Sequence, residues 1–262
     1  MGGDTQEQSS QALTPAALSH VPEALRRLRY GPDTAEQNLR RAIAAGILIE
    51  HADGSLGLPP APKVVSSWME VPNGPPLDCH FLLNAGFDGI YGGAAVPYGC
   101  RECYKVKVRL GSLRQLMAAW KLGKSIPCLS KWGLDLGNPY SQDVYAGYLY
   151  ATGLDAARVL HKVVRAALDA DAALGPDVPL TIKRGCSKFE SALGPSDRYE
   201  FTPEMAQLET LLRARFVAPA TRGSSMRTIG RWIQAAYQIG DDTYLDLTGG
   251  KPLRPPSVTY AP

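Results

Sequence analysis

The stretch that decides the fold of this 262-residue chain is YGCRECYKVKVRLGSLRQLMAAWKLGKSIPCLSKWGLD, residues 98–135. Residues 104–110 alternate between apolar or aromatic and basic side chains, which predicts a β-strand. A helix is predicted over 113–123, because Ser112 can cap its start and Gly123 can end it. Residues 126–135 form the second predicted strand. The stretch therefore predicts a β-α-β unit, and it contains three of the five cysteines of the chain.

The residues that follow extend this unit. They predict a third strand over 143–151, a long amphipathic helix over 154–174 and a fourth strand over 178–185. The helix is expected to face the sheet with the stripe Val159, Val163, Ala166 and Ala170. The resulting βαββαβ order is typical of a ferredoxin-like domain, which we predict over residues 98–190. Its sheet order is 4-1-3-2, so strands 1 and 2 begin at the edge where strand 4 ends.

Other segments flank this central domain in a predicted α+β protein. Residues 1–12 are small and polar, which predicts a disordered tail. Residues 13–62 predict helices followed by a β-hairpin, the pattern of a winged-helix-like segment, with Arg40 and Arg41 on its last helix. Such a segment binds DNA or a protein partner. Residues 63–97 are predicted to be a linker and lead-in segment, and residues 191–262 a helical extension with a Pro-rich tail.

Composition and the lengths of the apolar runs exclude a protein that spans a membrane. Hydrophobic residues make up 45% of the chain and charged residues 20%, as in ordinary globular proteins. The longest apolar runs are too short to cross a membrane, and the N-terminus lacks the basic and apolar regions of a secretory signal. We therefore expect a cytoplasmic protein without membrane contact, in which the five cysteines stay reduced.

Four cysteines fall at positions that the predicted topology brings together. Cys100 and Cys103 precede strand 1, Cys128 lies near the start of strand 2, and Cys186 follows strand 4. Four converging thiolates suit an iron–sulfur cluster or tetrahedral zinc. One close pair and two isolated cysteines favour a [4Fe–4S] cluster over structural zinc, which usually takes two close pairs. Free or redox-active thiols without metal are the third alternative. Two further residues are candidate extra ligands, Cys79 and His80.

A basic block overlaps these cysteines. Residues 97–131 contain eight Lys or Arg residues and one acidic residue. Strand alternation predicts that aromatic and basic side chains share the sheet face opposite to the helices, which would suit stacked bases and phosphates. The predicted nucleic-acid-binding residues of this open face are Lys105, Lys107, Arg109, Lys131, Tyr148, Tyr150 and Lys183.

The leading hypothesis is thus a cysteine-ligated metalloprotein that binds nucleic acid through a basic, Tyr-bearing sheet face. Two alternatives stay open at this point. The cysteines can hold a catalytic iron–sulfur cluster of an enzyme that acts on a small molecule, or structural zinc in a subunit of a larger complex. The chain has no P-loop, nucleophile elbow or H-E-x-x-H motif that would indicate a particular reaction.

Overall fold

The computed structural model describes residues 14–60, 65–136, 141, 143–219 and 225–253. The predicted tail over 1–12 and the Pro-rich residues from 254 onwards lie outside the described residues. The strands are β1 (Arg29–Tyr30), β2 (Asp33–Thr34), β3 (Ile49–Glu50), β4 (Leu56–Gly57), β5 (Trp68–Pro72), β6 (Cys103–Leu110), β7 (Leu129–Leu134), β8 (Tyr145–Thr152), β9 (Leu180–Arg184) and β10 (Phe216–Val217). The α-helices are α1 (Glu23–Arg26), α2 (Ala35–Ala44), α3 (Leu113–Gly123), α4 (Leu154–Asp169), α5 (Ser187–Leu193), α6 (Pro203–Arg213) and α7 (Ser225–Ile239).

The chain forms two compact units, and each unit is assembled from separate segments. Among the described residues, one unit comprises 14–60, 79–98 and 200–219, and we call it the helical unit. The other comprises 65–78, 99–199 and 225–253, and we call it the sheet unit. No helix in the described ranges is both long and apolar enough to cross a membrane.

The sheet unit is built on a five-stranded sheet in the order β5-β7-β8-β6-β9. All neighbouring strands are antiparallel. The four predicted strands of this region correspond to β6, β7, β8 and β9, and each of them is antiparallel to its neighbours in the sheet. The strand β5 extends the sheet beyond β7, within the segment predicted to be a linker and lead-in.

The hydrophobic core of the sheet unit lies on one face of this sheet. Val106, Trp132 and Leu149 are fully buried there, together with side chains of α3, α4 and α7. The stripe predicted to bury α4 is wrong, since Val159 is 63% exposed and Val163 47% exposed. The helix instead buries Ala157, Val164 and Leu168, which lie on one stripe at helical spacing and pack against the core.

The helical unit contains the predicted helices and hairpin of the N-terminal segment. The side chain of Thr34 caps α2 by accepting a hydrogen bond from the backbone nitrogen of Gln37, and the side-chain oxygen of Gln37 accepts one from the backbone nitrogen of Thr34. The strands β3 and β4 form the hairpin, and β10 pairs with β4 in parallel. Residues Phe81–Ile90 form a π-helix in the region predicted to be a lead-in.

Candidate functional site

The register of the sheet places all seven predicted nucleic-acid-binding residues on one face. Lys105 lies opposite both Tyr150 and Lys183, and Tyr148 lies opposite both Lys107 and Lys131. Directly paired residues in an antiparallel sheet project to the same side. This side faces away from the hydrophobic core, and we call its residues the polar face: Lys105, Lys107, Arg109, Lys131, Tyr148, Tyr150 and Lys183.

The polar face is not the open platform that the sequence predicts. Lys105 is 5% exposed and Tyr148 is 6% exposed, so neither can meet a base or a phosphate in this arrangement. The added strand β5 is one reason, because the ring of Trp68 lies with its centroid 5.6 Å from that of Tyr148. Lys131 stands over the same two rings, 4.7 Å from the Trp68 centroid and 5.2 Å from the Tyr148 centroid.

Carboxylates from the connection between β7 and β8 neutralise the cations at one end of this face. The Nζ atom of Lys107 lies 2.5 Å from Asp143 Oδ2 and 3.5 Å from Asp135 Oδ2. Arg109 Nε donates to Asp143 Oδ1 at 2.7 Å. Burial acts to raise the pKa of Asp143, but the hydrogen bonds from Lys107 and Arg109 outweigh it and hold this pKa below its usual value.

A second ion pair covers the β9 edge of the face. Lys183 pairs with Glu190 of α5. Burial, followed by repulsion from the neighbouring ammonium groups of Lys105 and Lys107, lowers the pKa of Lys183 to about 8. The cations on this face therefore crowd one another, although protein carboxylates accompany several of them.

One lysine of the face is buried against sulfur instead of a carboxylate. Lys105 Nζ lies 3.2 Å from Cys186 Sγ, which is its only hydrogen-bond partner among the described residues. Its ammonium also stands 5.3 Å from the centroid of the Tyr150 ring. Burial acts to lower the pKa of Lys105, but Cys186, Tyr150 and Cys103 outweigh it and raise this pKa. We call Lys105, Cys103 and Cys186 the lysine–thiol cluster.

Local backbone geometry brings the two thiols of this cluster together. Gly185 donates its backbone hydrogen to the carbonyl of Cys103 at 2.8 Å, so the two chains are still paired at that point. Gly185 then adopts a left-handed φ of 64°, a backbone conformation that residues with a side chain rarely adopt. Cys186 follows, and its thiol interacts electrostatically with that of Cys103. Burial raises the pKa of Cys103, although Lys105 opposes this effect.

The remaining two predicted metal ligands have different surroundings. Cys100 is buried, at the end of the 3-10 helix Tyr98–Cys100. Cys128 immediately precedes β7, and burial raises its pKa to about 11 although the backbone of Tyr150 opposes this effect. The register puts Cys128 at the same end of the sheet as Cys103 and Cys186, because β6 and β7 start where β8 and β9 end.

Cys103, Cys128 and Cys186 lie at the same end of the sheet, but the described side chains are not arranged as a metal site. Within the described parts of the chain, no group of three or more His, Cys, Asp or Glu side chains is arranged to hold a metal ion. Metal binding by Cys100, Cys103, Cys128 and Cys186 stays a prediction. Cys79 and His80, the candidate extra ligands, belong to the helical unit.

The basic residues predicted on the N-terminal segment are paired with acids. On α2, Arg40 pairs with Glu36, and Arg41 pairs with Asp33 just before the helix. Both carboxylates reduce the positive charge that a phosphate backbone would meet there. Binding of a partner through this segment stays a prediction.

Sequence reasoning missed the acids that cover the polar face. Alternation along β7 puts Lys131, Gly133 and then Asp135 on the same side, so the placement of Asp135 was available from the pattern. Asp135 is 1% exposed and accepts a hydrogen bond from the hydroxyl of Tyr148 at 2.9 Å. Asp143 and Glu190 lie outside the strands, where alternation gives no signal.

Comparisons with known proteins add no further constraint on this site. The chain matches no protein-family model, no curated protein and no solved structure. The function must therefore be argued from the residues themselves.

Proposed function

We propose that this protein binds a metal centre through thiolates at the cysteine end of the five-stranded sheet, with a [4Fe–4S] cluster favoured and zinc as the alternative. The observation that carries the proposal is the burial of the Lys105 ammonium against Cys186 sulfur. A charge that is removed from water needs an opposite charge beside it. Among the described residues no carboxylate supplies that charge to Lys105, and a thiolate at Cys186 would.

A bound cation explains why a second thiol lies in the same cluster. Two thiolates at Cys103 and Cys186 would repel each other in a partly buried place, and burial alone disfavours the charged form of Cys103. Coordination by a metal deprotonates a thiol outright and removes this repulsion. Cys100 and Cys128 are the residues that would complete a set of four ligands. The ammonium of Lys105 would then hydrogen-bond a ligating sulfur, one of the contacts that tune such centres.

We infer the fold assignments that go with this function in the same way. The strand order of the sheet unit supports a ferredoxin-like domain to which β5 has been added at one edge. The helices and hairpin over 14–60 support a winged-helix-like segment. Two other activities, an enzymatic reaction on a small molecule and a purely structural role in a larger complex, are both compatible with a metal centre at this position.

Metal analysis and a visible absorption spectrum test the proposal. We expect protein purified without oxygen to be brown and to contain iron and sulfide; one zinc per chain in a colourless sample would select the alternative. Cys186→Ser is expected to lose most of the metal, and Lys105→Met to lose about 10–100-fold in metal affinity, as contacts to metal ligands typically do. Cys79→Ser is the comparison variant, because Cys79 is a candidate extra ligand outside the proposed set of four, and it should keep its metal.

The metal content of the wild type and of these variants can also overturn the proposal. Wild-type protein that carries no metal as purified, and that takes up neither zinc nor iron after reduction, has no such centre. Retention of full metal by both Cys186→Ser and Lys105→Met would place the centre somewhere other than the lysine–thiol cluster.

Nucleic-acid binding by the polar face stays a separate proposal, and the structure changes the residues that should probe it. Lys105 and Lys107 lie in largely buried pairs, so reversing their charges would disturb folding. Arg109, with a side chain that is 53% exposed, and Lys131, which is half-buried, are better choices. Salt-dependent binding of a single-stranded oligonucleotide that Arg109→Glu and Lys131→Glu weaken would support this activity.

A further inference from the structure

Two of the proposed ligands, Cys103 and Cys186, lie at the same end of the paired strands β6 and β9. Cys103 begins β6, and its carbonyl accepts the hydrogen bond of Gly185, the residue before Cys186. Antiparallel partners have Cα atoms about 4.5–5.5 Å apart, and a disulfide needs roughly 4.4–6.8 Å between its Cα atoms. Cys186 is one residue beyond the partner position. The strand pairing therefore brings the two cysteines near the range of separations that a disulfide bridges.

Both thiols also share one local environment. Cys103 and Lys105 lie two residues apart on β6 and so share one face of that strand, and the sulfur of Cys186 contacts Lys105. Cys186 is half-buried rather than sealed, so a small oxidant can approach it. The ammonium of Lys105, 3.2 Å from Cys186 Sγ, marks this sulfur as the one better able to carry the electron pair of an attack.

We propose that Cys103 and Cys186 are a redox-active pair that a hydroperoxide oxidises to a disulfide. The sulfur of Cys186 attacks the outer peroxide oxygen and becomes a sulfenic acid, while the O–O bond breaks and an alcohol leaves, or water when the oxidant is hydrogen peroxide. The sulfur of Cys103 then displaces water from that sulfenic acid and forms the S–S bond. In sum two thiols lose two electrons and two protons, and the peroxide is reduced to an alcohol and water.

This reaction has a consequence that rests on the proposed metal function. A disulfide between Cys103 and Cys186 would remove two of the four proposed ligands at once. Oxidation would therefore release the metal, and reduction would restore the site. Lys105 would lose its anionic partner in the oxidised form, which favours return to the reduced, metal-binding state once a thiol reductant is present.

A competing pairing exists and must be distinguished. Cys100 and Cys103 are separated by two residues in C-x-x-C, a spacing that forms disulfides in redox proteins. Trypsin separates the alternatives, because it cuts after Arg101, Lys105, Arg184 and Lys188. Cys103 is then found in ECYK (102–105) and Cys186 in GCSK (185–188), whereas Cys100 stays in a peptide that ends at Arg101.

The experiment treats the full-length protein with hydrogen peroxide and maps its peptides by mass spectrometry without reduction. Samples are taken both as purified and after reduction and chelation. We expect ECYK linked to GCSK as the main product, formed without loss of the folded state by circular dichroism. Cys103→Ser should leave a sulfenic acid on Cys186, and Cys128→Ser, the matched control, should give the same linkage as the wild type.

Metal measured on the same samples separates this inference from the proposed function. The linkage of ECYK to GCSK in a protein that never binds metal supports the redox pair and contradicts the metal centre. Bound metal together with a Cys100–Cys103 linkage, or with no linkage in the chelated protein, overturns the redox pair and leaves the metal centre standing. Where both hold, metal content should fall in proportion to the linked peptide.

Discussion

Asp241 shows how one side chain can join distant parts of the sheet unit. Its Oδ2 atom accepts hydrogen bonds from the backbone nitrogen of Leu113 and the hydroxyl of Tyr145, both at 2.7 Å. Its Oδ1 atom accepts from the backbone nitrogen of Thr243 at 3.1 Å and from its hydroxyl at 2.7 Å. The carboxylate thus connects the start of α3, the start of β8 and the 3-10 helix Asp242–Leu247. The side chain of Asp241 caps this short helix at its start.

The pH dependence of folding follows from these contacts. Burial acts to raise the pKa of Asp241, but the hydrogen bonds from Thr243, Tyr145 and Leu113 outweigh it and lower this pKa below its usual value. A carboxylate with a lowered folded-state pKa stabilises the fold above its unfolded pKa, and this stability is lost as pH falls through the folded value. Asp241→Asn is expected to lower the free energy of unfolding at pH 7 by roughly 1–3 kcal/mol, measured by urea titration.

The matched control for this change is the neighbouring residue. Asp242 is exposed, and Asp242→Asn should leave the urea midpoint nearly unchanged. The difference between wild type and Asp241→Asn should also shrink as pH falls below about 4, near the ordinary pKa of aspartate. Equal losses in both variants, or a difference that stays constant down to acid pH, would contradict the role assigned to Asp241.

At the scale of elements, close packing around Trp132 limits which residues the strands can carry. Trp132 on β7 is fully buried, and its ring lies directly over Gly147 on β8. A Cβ atom at Gly147 would stand 2.1 Å from Cζ3 of that ring, far inside contact distance. The ring is held inside the core, so it cannot simply swing away. Sheet and tryptophan therefore fit only because position 147 has no side chain.

Gly147→Ala tests this fit. We expect it to lower the free energy of unfolding by about 1–3 kcal/mol or more, the usual cost of an overpacked core, measured by chemical denaturation. Gly230→Ala is the contrasting control, because this exposed glycine of α7 has nothing within 4 Å of the added carbon. It should raise the unfolding free energy by about 0.5–1 kcal/mol through helix propensity. A neutral Gly147→Ala would mean that β7 and β8 pack more loosely.

The strands of the sheet differ in how far neighbouring residues alone predict them. Alternation is a property of neighbouring residues, so the strands β6 to β9 and the faces of Lys105 and Trp132 were predictable. The edge strand β5 was not, because its five residues lie near several prolines and gain their partner only from the distant β7. The cover over the polar face by Asp143 and Glu190 was missed because Asp143 comes from a connection and Glu190 from helix α5, where strand alternation gives no signal.

At the scale of the whole molecule, the two units do not follow chain order. Residues 200–219 come after the central sheet in sequence, yet they belong to the helical unit together with 14–60 and 79–98. Within that unit, buried Glu209 accepts hydrogen bonds from the Tyr91 hydroxyl at 2.6 Å and from the backbone nitrogen of Tyr98 at 2.5 Å. Leu208 and Leu212 are fully buried in α6. The amino-acid composition does not indicate that the chain returns to the helical unit at residues 200–219.

This interleaving predicts how fragments of the chain behave. A fragment of residues 1–98 lacks α6 and β10, and thus one of the two partners of β4 and three nearly fully buried side chains, Met205, Leu208 and Leu212. Each buried apolar side chain of this size contributes about 1.5–3 kcal/mol, and a small domain has only about 5–15 kcal/mol of net stability. We therefore expect the fragment to show no cooperative thermal transition by circular dichroism.

Restoring the missing segment should restore folding. Residues 1–98 joined to 200–219 by a flexible Gly/Ser linker contain every segment of the helical unit, and the linker adds little closure entropy. We expect this fusion to unfold cooperatively, and Glu209→Ala within it to weaken the transition because the Tyr91 hydroxyl loses its acceptor. A cooperative transition in residues 1–98 alone would show instead that the N-terminal part folds without 200–219, as chain order by itself suggests.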